Sequence, residues 1–275
     1  MRFPAVNGFF DPASSTLTYV AWDTLTRDAV VIDPVLDYDP SSHMTSQSNL
    51  EKLKKFIVAK DLLVHWVIDT HPHADHLTGG GILKRTWPQA LWGVGEGMSQ
   101  VFANFRNVFN WPASVDVRRM GVDRWFRDGE EFSAGSLRGL CLATPGHTPA
   151  CMTYKIGSAI FTGDALMMPD AGTGRCDFPG GSASVLYDSI LGKLYSLDSS
   201  TRVFVGHDYQ PGGRPLRYES TIGEEKSSNI HIRAETSRIE FVAFREGRDK
   251  TLNAPRLLNP SLDWNLGAHQ IVKPV

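Results

Sequence analysis

The chain has 275 residues, 41 % of them hydrophobic and 21 % charged, with a formal net charge of −2. That composition supports a substantial core but supplies no broad basic field, so a small-molecule ligand is expected, with no nucleic-acid and no membrane partner. The three cysteines, Cys141, Cys151 and Cys176, are far apart and form no Cys-x-x-Cys pair, which excludes a disulfide framework and a structural zinc site of that type.

A reducing compartment fits these cysteines. Residues 1–12 contain one arginine and no apolar run of the length a signal peptide or membrane span requires. The expected location is cytoplasmic.

In chain order, the alternating segment 16–22 (TLTYVAW) and the apolar run 29–33 (AVVID) read as strands. A polar stretch at 37–48 precedes residues 50–58, whose apolar positions fall at helical spacing, and residues 62–69 (LLVHWVID) read as a buried strand. Residues 70–76 then lie just beyond that strand's C-terminal end, where open α/β sheets place their ligands. The pattern continues with a helix from Ala74 towards Trp87, a strand at 91–94, a helix at 97–105 and a long irregular region. Strands are expected at 137–143, 152–156 and 159–162, with Gly157-Ser158 as a hairpin turn, followed by a helix at 183–197 and a strand at 202–205. From Tyr218 the sequence reads as mainly helical to about Arg248 and as irregular beyond, where Pro255, Pro260 and Pro274 fall. This is a single domain over 1–275 with a helical C-terminal extension from 218. Two rounds of β then βαβ suggest two face-to-face sheets with helices outside.

His71-Pro72-His73-Ala74-Asp75-His76 places three imidazoles and a carboxylate within six residues. Imidazole suits zinc, iron, copper and nickel, and a neighbouring carboxylate offers a hard ligand or a base. Three later fragments each put a ligand type directly after an expected strand: Thr144-Pro145-Gly146-His147-Thr148, Thr162-Gly163-Asp164 and Val205-Gly206-His207-Asp208. Singly each reads as a turn, whereas together they supply enough donors for one or two metals. His43, His65, His231 and His269 fall outside these motifs and read as surface or packing residues.

In this order and over roughly residues 10–210, the four motifs resemble those of the metallo-beta-lactamase superfamily. The resemblance implies an α/β fold, a four-layer αββα sandwich with its site at one edge between the sheets. In dinuclear members His71, His73 and His147 would bind one metal, Asp75, His76 and His207 the other, and Asp164 would bridge them. His76 separates the chain from the true beta-lactamases, which lack histidine there.

Within the superfamily the chain resembles the persulfide dioxygenases. Gly172-Thr173-Gly174-Arg175-Cys176-Asp177-Phe178 is similar to their Gly-x-Gly-Arg-x-Asp-Phe pattern, and Gly206-His207-Asp208-Tyr209 has Asp-Tyr where glyoxalase II has Glu-Tyr. Residues 37–48 and 210–225 are more similar to a bacterial subgroup labelled beta-lactamase-like hydrolase. The dioxygenase resemblance implies one Fe(II) per chain held by His71, His147 and Asp164. Such a facial set leaves three positions open for O2 and substrate. His73, Asp75, His76 and His207 would then hydrogen-bond around the ligands or hold a second metal. The implied reaction oxidises glutathione persulfide, or a related low-molecular-weight persulfide, with O2 to sulfite and thiol, in a homodimer.

Arg175, Arg214 and Arg217 are the expected partners of substrate carboxylates. Tyr209 either hydrogen-bonds near the metal or packs, and Cys176 reads as a small buried residue. The alternative reading is a thioester or lactone hydrolase of the glyoxalase II type with a dinuclear site, in which zinc replaces iron.

Overall fold

The computed structural model describes residues 3–112 and 114–267. Its first half comprises β1 (Ala5–Asp11), β2 (Thr16–Trp22), β3 (Asp28–Ile32), β4 (Val35–Asp39), β5 (Met44–Ser46), α1 (Ser48–Ala59) and β6 (Leu63–Ile68). Then follow β7 (Leu77–Thr78), α2 (Gly80–Thr86), β8 (Leu91–Gly95), α3 (Met98–Arg106) and β9 (Arg124–Phe126). The second half contains β10 (Glu131–Ala134), β11 (Leu137–Ala143), β12 (Met152–Ile156), β13 (Ala159–Phe161), α4 (Ala183–Asp188) and β14 (Arg202–Phe204). It ends with β15 (Glu219–Thr221), α5 (Ile222–Ser228), α6 (Arg238–Asp249) and α7 (Leu258–Asn265).

One sheet has the order β1-β2-β3-β6-β8-β9 and the other runs β10 to β15 in sequence order. Period-two alternation decides which face each residue serves. Leu17, Tyr19, Val30 and Ile32 join the core shared with the second sheet, while their neighbours Val20, Ala29 and Val31 join a separate cluster with helical residues. A register shift in the β3–β6 pairing pairs Ala29 with Val64 and Val30 with Trp66, so His65 is the extra residue of a bulge. Its Nε2 lies 2.6 Å from Asp28 Oδ1.

The inter-sheet core is strongly aromatic. Phe126 packs within 5.2 Å of Trp66, 5.3 Å of Phe132 and 5.8 Å of Tyr154, measured between ring centroids. On the outer face of the first sheet, α1 contributes Leu50, Leu53 and Ile57, α3 contributes Val101, Phe102 and Phe105, and α7 contributes Leu262. Leu186 of α4 and Phe241 of α6 enter the cluster that contains the second sheet. This is the mixed α/β sandwich the motifs imply.

Several elements depart from the sequence reading. The edge strand β1 was not expected, because its residues are only half-buried and it draws its order from pairing along its whole length with β2. Residues 37–48 form most of the β4–β5 hairpin rather than a plain polar loop. No helix begins at Ala74: residues 71–76 are irregular, β7 pairs with β4, and α2 starts only at Gly80. The Thr78 hydroxyl accepts the Gly80 N–H at 3.0 Å, and a Cβ at Gly80 would lie 2.4 Å from the Trp92 indole nitrogen. The region beyond α3 supplies β9 and β10, and the expected helix at 183–197 is an α-helical turn followed by a π-helical one, Ser189–Leu194. In the tail Glu219–Thr221 is a strand, and the proline-containing end forms α7. Pro260 sits in the first turn of α7, where its missing N–H has no intrahelical partner to lose. His269 and Pro274 lie outside the described residues.

Because Phe126 fills the space between both sheets and is fully buried, Phe126→Ala should remove about 3–5 kcal/mol of stability. Urea unfolding should show a lower midpoint with little change in slope; an unchanged midpoint would mean that the two sheets do not share this core.

Candidate metal centre

The chain after β3 and the chain after β6 are tied together by one carboxylate. Asp33 Oδ1 accepts the Thr70 N–H at 2.6 Å and Asp33 Oδ2 accepts the Thr70 hydroxyl at 2.9 Å. The Thr70 proton is thereby committed, so Thr70 Oγ1 accepts from His71 Nδ1 at 3.0 Å. This leaves His71 Nε2 as the free lone pair. His147, between β11 and β12, is fixed in the same way: its Nδ1 donates to the Arg175 carbonyl at 2.6 Å. A backbone carbonyl only accepts, so Nδ1 carries a proton and Nε2 is the nitrogen that a neutral ring leaves free.

Asp164 follows β13 and His207 follows β14, two neighbouring parallel strands. The glycines in these motifs allow the close approach. Gly206 donates its N–H to the Gly163 carbonyl at 3.0 Å, and a Cβ at Gly206 would lie 2.7 Å from Asp164 Oδ1. Gly163 has φ of 51°, and a Cβ there would lie 2.5 Å from the Thr70 hydroxyl.

The result is one three-donor group of His71, His147 and Asp164, whose donor atoms all lie within 4.8 Å of one another. Asp164 Oδ2 is 3.5 Å from His147 Nε2 and 3.9 Å from His71 Nε2. A second group under the same limit is His73, Asp75 and His207. Its Asp75 Oδ2 is 3.7 Å from His207 Nε2, which in turn is 3.3 Å from Asp164 Oδ1. The dinuclear expectation placed His76 in this second group and His73 in the first; the structure groups His73 with Asp75 and His207. His76 Nδ1 instead lies 3.3 Å from both Asp75 Oδ2 and the Thr16 hydroxyl. Asp33, Asp69 and His73 also converge, but the carboxylates of Asp33 and Asp69 are occupied by Thr70, Thr78 and Trp92.

These residues fit a cation. His73 Nδ1 and His76 Nε2 are buried without a hydrogen-bond partner, a state that buried polar atoms rarely keep, while His73 Nε2 and Asp164 Oδ1 make no hydrogen bond and have only ion-pair neighbours, Asp33 Oδ1 at 3.1 Å and His207 Nε2 at 3.3 Å. Burial, then the neighbouring His73, holds the His71 imidazole well below its ordinary pKa, and burial, then His76, does the same for His73. Neutral imidazoles with free lone pairs beside a carboxylate suit zinc or iron. Burial also pushes the carboxyl pKa of Asp33 up to about 6, and that of Asp69 up to about 7 with the added charge of Asp33.

Beside the first group lies a cavity of about 420 Å³ lined by His147, Asp164, Met167, Phe178, Tyr209 and Leu252, among others. Tyr209 stacks on His207 at 5.4 Å and 6°. Arg175 lines the cavity, but its guanidinium is held by both oxygens of Asp177 at 2.6 Å and by the Asn253 carbonyl at 2.7 Å. Arg214 and Arg217 are not in its lining. Arg214 is bound to Asp170 and Asp208, and Arg217 to Glu224, so both organise the loop after His207. Cys176 is buried, and burial, then Asp249, raises its thiol pKa, which fits a packing residue. His231, expected at the surface or in packing, lines the cavity and accepts the Thr173 N–H at 3.0 Å.

The sequence reading missed Asn265. From α7 its Oδ1 accepts the Thr78 N–H at 2.7 Å, and its Nδ2 donates to the carbonyls of His73 at 2.8 Å and His76 at 2.9 Å. Nothing local marks this residue; only the folded tail brings it to the loop.

The profile described as "Metallo-beta-lactamase superfamily" matches residues 11–207. The chain belongs to that superfamily. Among its curated relatives in the superfamily, the "Beta-lactamase hydrolase-like protein" of Xylella fastidiosa (strain 9a5c) is 43 % identical over 100 % of this chain, which spans 63 % of that protein's length. "Glyoxylase B2" of Dictyostelium discoideum is 39 % identical over 94 % of this chain and 88 % of its own. "Persulfide dioxygenase ETHE1, mitochondrial" of Bos taurus is 33 % identical over 81 % of this chain and 74 % of its own. Among solved structures, ETHE1 from Myxococcus xanthus superposes with a TM-score of 0.75 at 34 % identity, covering 96 % of this chain and 99 % of that one. Persulfide dioxygenases are therefore among the homologues of this superfamily member. Among the described residues no helix is long and apolar enough to cross a membrane.

Asn265→Ala should loosen the 71–76 loop, lowering metal affinity about 10- to 100-fold while costing roughly 1–3 kcal/mol of stability. Chelator competition followed by elemental analysis would check this. Wild-type retention of metal would show that α7 does not support the site.

Proposed function

We propose that this protein is an iron-dependent persulfide dioxygenase, with His71, His147 and Asp164 holding one Fe(II) per chain. The carrying observation is where the segment 172–178 lies. Its Arg175 carbonyl fixes His147, its Gly174 N–H donates to the Asp164 carbonyl at 3.0 Å, and Phe178 packs edge-on to the His147 ring at 5.4 Å. The segment that separates dioxygenase from glyoxalase patterns is thus built around two of the three donors. Similarity to ETHE1 proteins supports the same reading.

Bound there, Fe(II) supplies the O2 activation and sulfur binding that no side chain provides. The net reaction is RSSH + O2 + H2O → RSH + SO3²⁻ + 2 H⁺. The protein's residues position, shield and move protons. Thr70 and the Arg175 carbonyl hold the imidazole tautomers of His71 and His147. Met167, Phe178 and Leu252 give the cavity apolar walls that exclude bulk water from the terminal sulfur. His207 stands beside Asp164, and Asp75 beside His207, as acceptors for the protons that water releases on hydrolysis.

A second reading, a dinuclear thioester or lactone hydrolase, is favoured by the His73–Asp75–His207 group and by similarity to "Glyoxylase B2". There zinc would occupy both groups and metal-bound hydroxide would attack a carbonyl.

Anaerobically purified, iron-loaded protein should consume one O2 per sulfite formed from glutathione persulfide. Two zinc ions per chain with thioester turnover and no O2 uptake would support the hydrolase instead. Asp164→Ala should abolish metal retention, because a bond and a charge leave the donor set. His73→Ala should weaken it only about 10- to 100-fold. Equal loss in the two variants, read by elemental analysis, would make His73 a ligand.

A further inference from the structure

Four arginines line the cavity beside the candidate metal centre: Arg175, Arg245, Arg248 and Arg256. Two of them are fully engaged within the protein. Arg175 is bound through two nitrogens to Asp177, and the buried Arg245 is bound to Asp249 and the Thr173 carbonyl. Arg248, in the last turn of α6, and Arg256, in the connection to α7, are exposed, and their guanidinium groups make no hydrogen bond or ion pair among the described residues. Both nevertheless wall the cavity.

Arg256 also lines an adjoining groove of about 340 Å³, bordered by Asp75, His76 and the β4–β5 hairpin. Among the described residues, the acids in the lining of the first cavity are Asp75 and Asp164, both in the donor groups. No ion pair among the described residues holds the guanidinium groups of Arg248 and Arg256, although Asp11, Asp37 and Asp39 join Arg256 in lining the adjoining groove. On the same wall burial, then Arg245 and Arg248, holds the His231 imidazole down at about 4.

Resting on the persulfide reading, we propose that Arg248 and Arg256 bind the carboxylates of the thiol carrier and so select a peptide-like, dicarboxylate persulfide over neutral ones. A guanidinium binds a carboxylate through two charge-assisted hydrogen bonds. Exposure limits what each contact contributes. These contacts lie away from the reacting sulfur, so they act on binding more than on turnover. The assignment moves carboxylate recognition from Arg175, Arg214 and Arg217 to two residues of the C-terminal segment.

The test uses the full chain as wild type, Arg248→Gln, Arg256→Gln and the double variant, with glutathione and its diethyl ester as probes. The ester keeps the peptide backbone and the thiol, removes both negative charges and adds an ethyl group at each carboxyl. Calorimetry should show that wild type prefers glutathione over the ester. Each single variant should lose roughly three- to tenfold in glutathione affinity, and the double variant should lose most of the preference. Lysine at either position should restore part of it, and salt should weaken only the arginine-dependent share. Equal loss for both probes, or a wild type without preference, would overturn the proposal. With persulfides, KM for glutathione persulfide should rise while kcat and the KM for a neutral alkyl persulfide hold. Absence of O2 uptake with every persulfide, alongside the charge-dependent binding, would overturn the dioxygenase reading and leave the carboxylate clamp in place.

Discussion

The Asp33 carboxylate, buried between the ends of β3 and β6, accepts both protons that Thr70 can offer. That pair of hydrogen bonds joins two parallel strands where their backbone ladder stops, and it dictates which nitrogen of His71 is protonated. Ionised or neutral, Asp33 cannot be left unpaired at such a depth without a large desolvation cost. The positive φ of Asp33, 50°, is the local strain accepted to aim the carboxylate at the loop. The free Nε2 of His71, the atom proposed to bind metal, therefore rests on a contact between two residues that are not among the proposed ligands.

The other donors are placed by the same economy of turns after strands. His147, Asp164 and His207 each follow a strand of the second sheet, and His71 follows one of the first. The sandwich brings those strand ends to one edge, so Asp75 and His207, far apart in the chain, come within 3.7 Å without a covalent link between them. Around them, Thr16 lies within 3.3 Å of His76 and His207 and donates to Asp75 at 3.0 Å. Asn265 closes the loop from the far side. Rigid support of this kind sets ligand geometry as much as the ligands do.

Much of this was legible before folding. The donor motifs stand out because histidine and aspartate cluster beside glycine after apolar runs, and each such run is a strand. What the sequence hides follows from the range of the interactions. The edge strand β1 is ordered by its pairing with β2, and α7 by burial of Leu262 against the first sheet. Ala74 looks like a helix start, yet β7 pairing with β4 overrides that local preference. The arginines were the hardest to place. Arg175, Arg214 and Arg217 sit in or beside motifs, but whether a guanidinium is free depends on acids such as Asp170 and Glu224 that only tertiary structure brings to it.

As proposed, one metal would sit among His71, His147 and Asp164, served by hydrogen bonds from the His73, Asp75 and His207 group. Anomalous diffraction at the iron edge, on crystals grown anaerobically from iron-loaded protein, tests this most directly. A single peak is expected within bonding distance of His71 Nε2, His147 Nε2 and an Asp164 oxygen. A second peak of comparable height between Asp75 and His207, or a lone peak there, would contradict it.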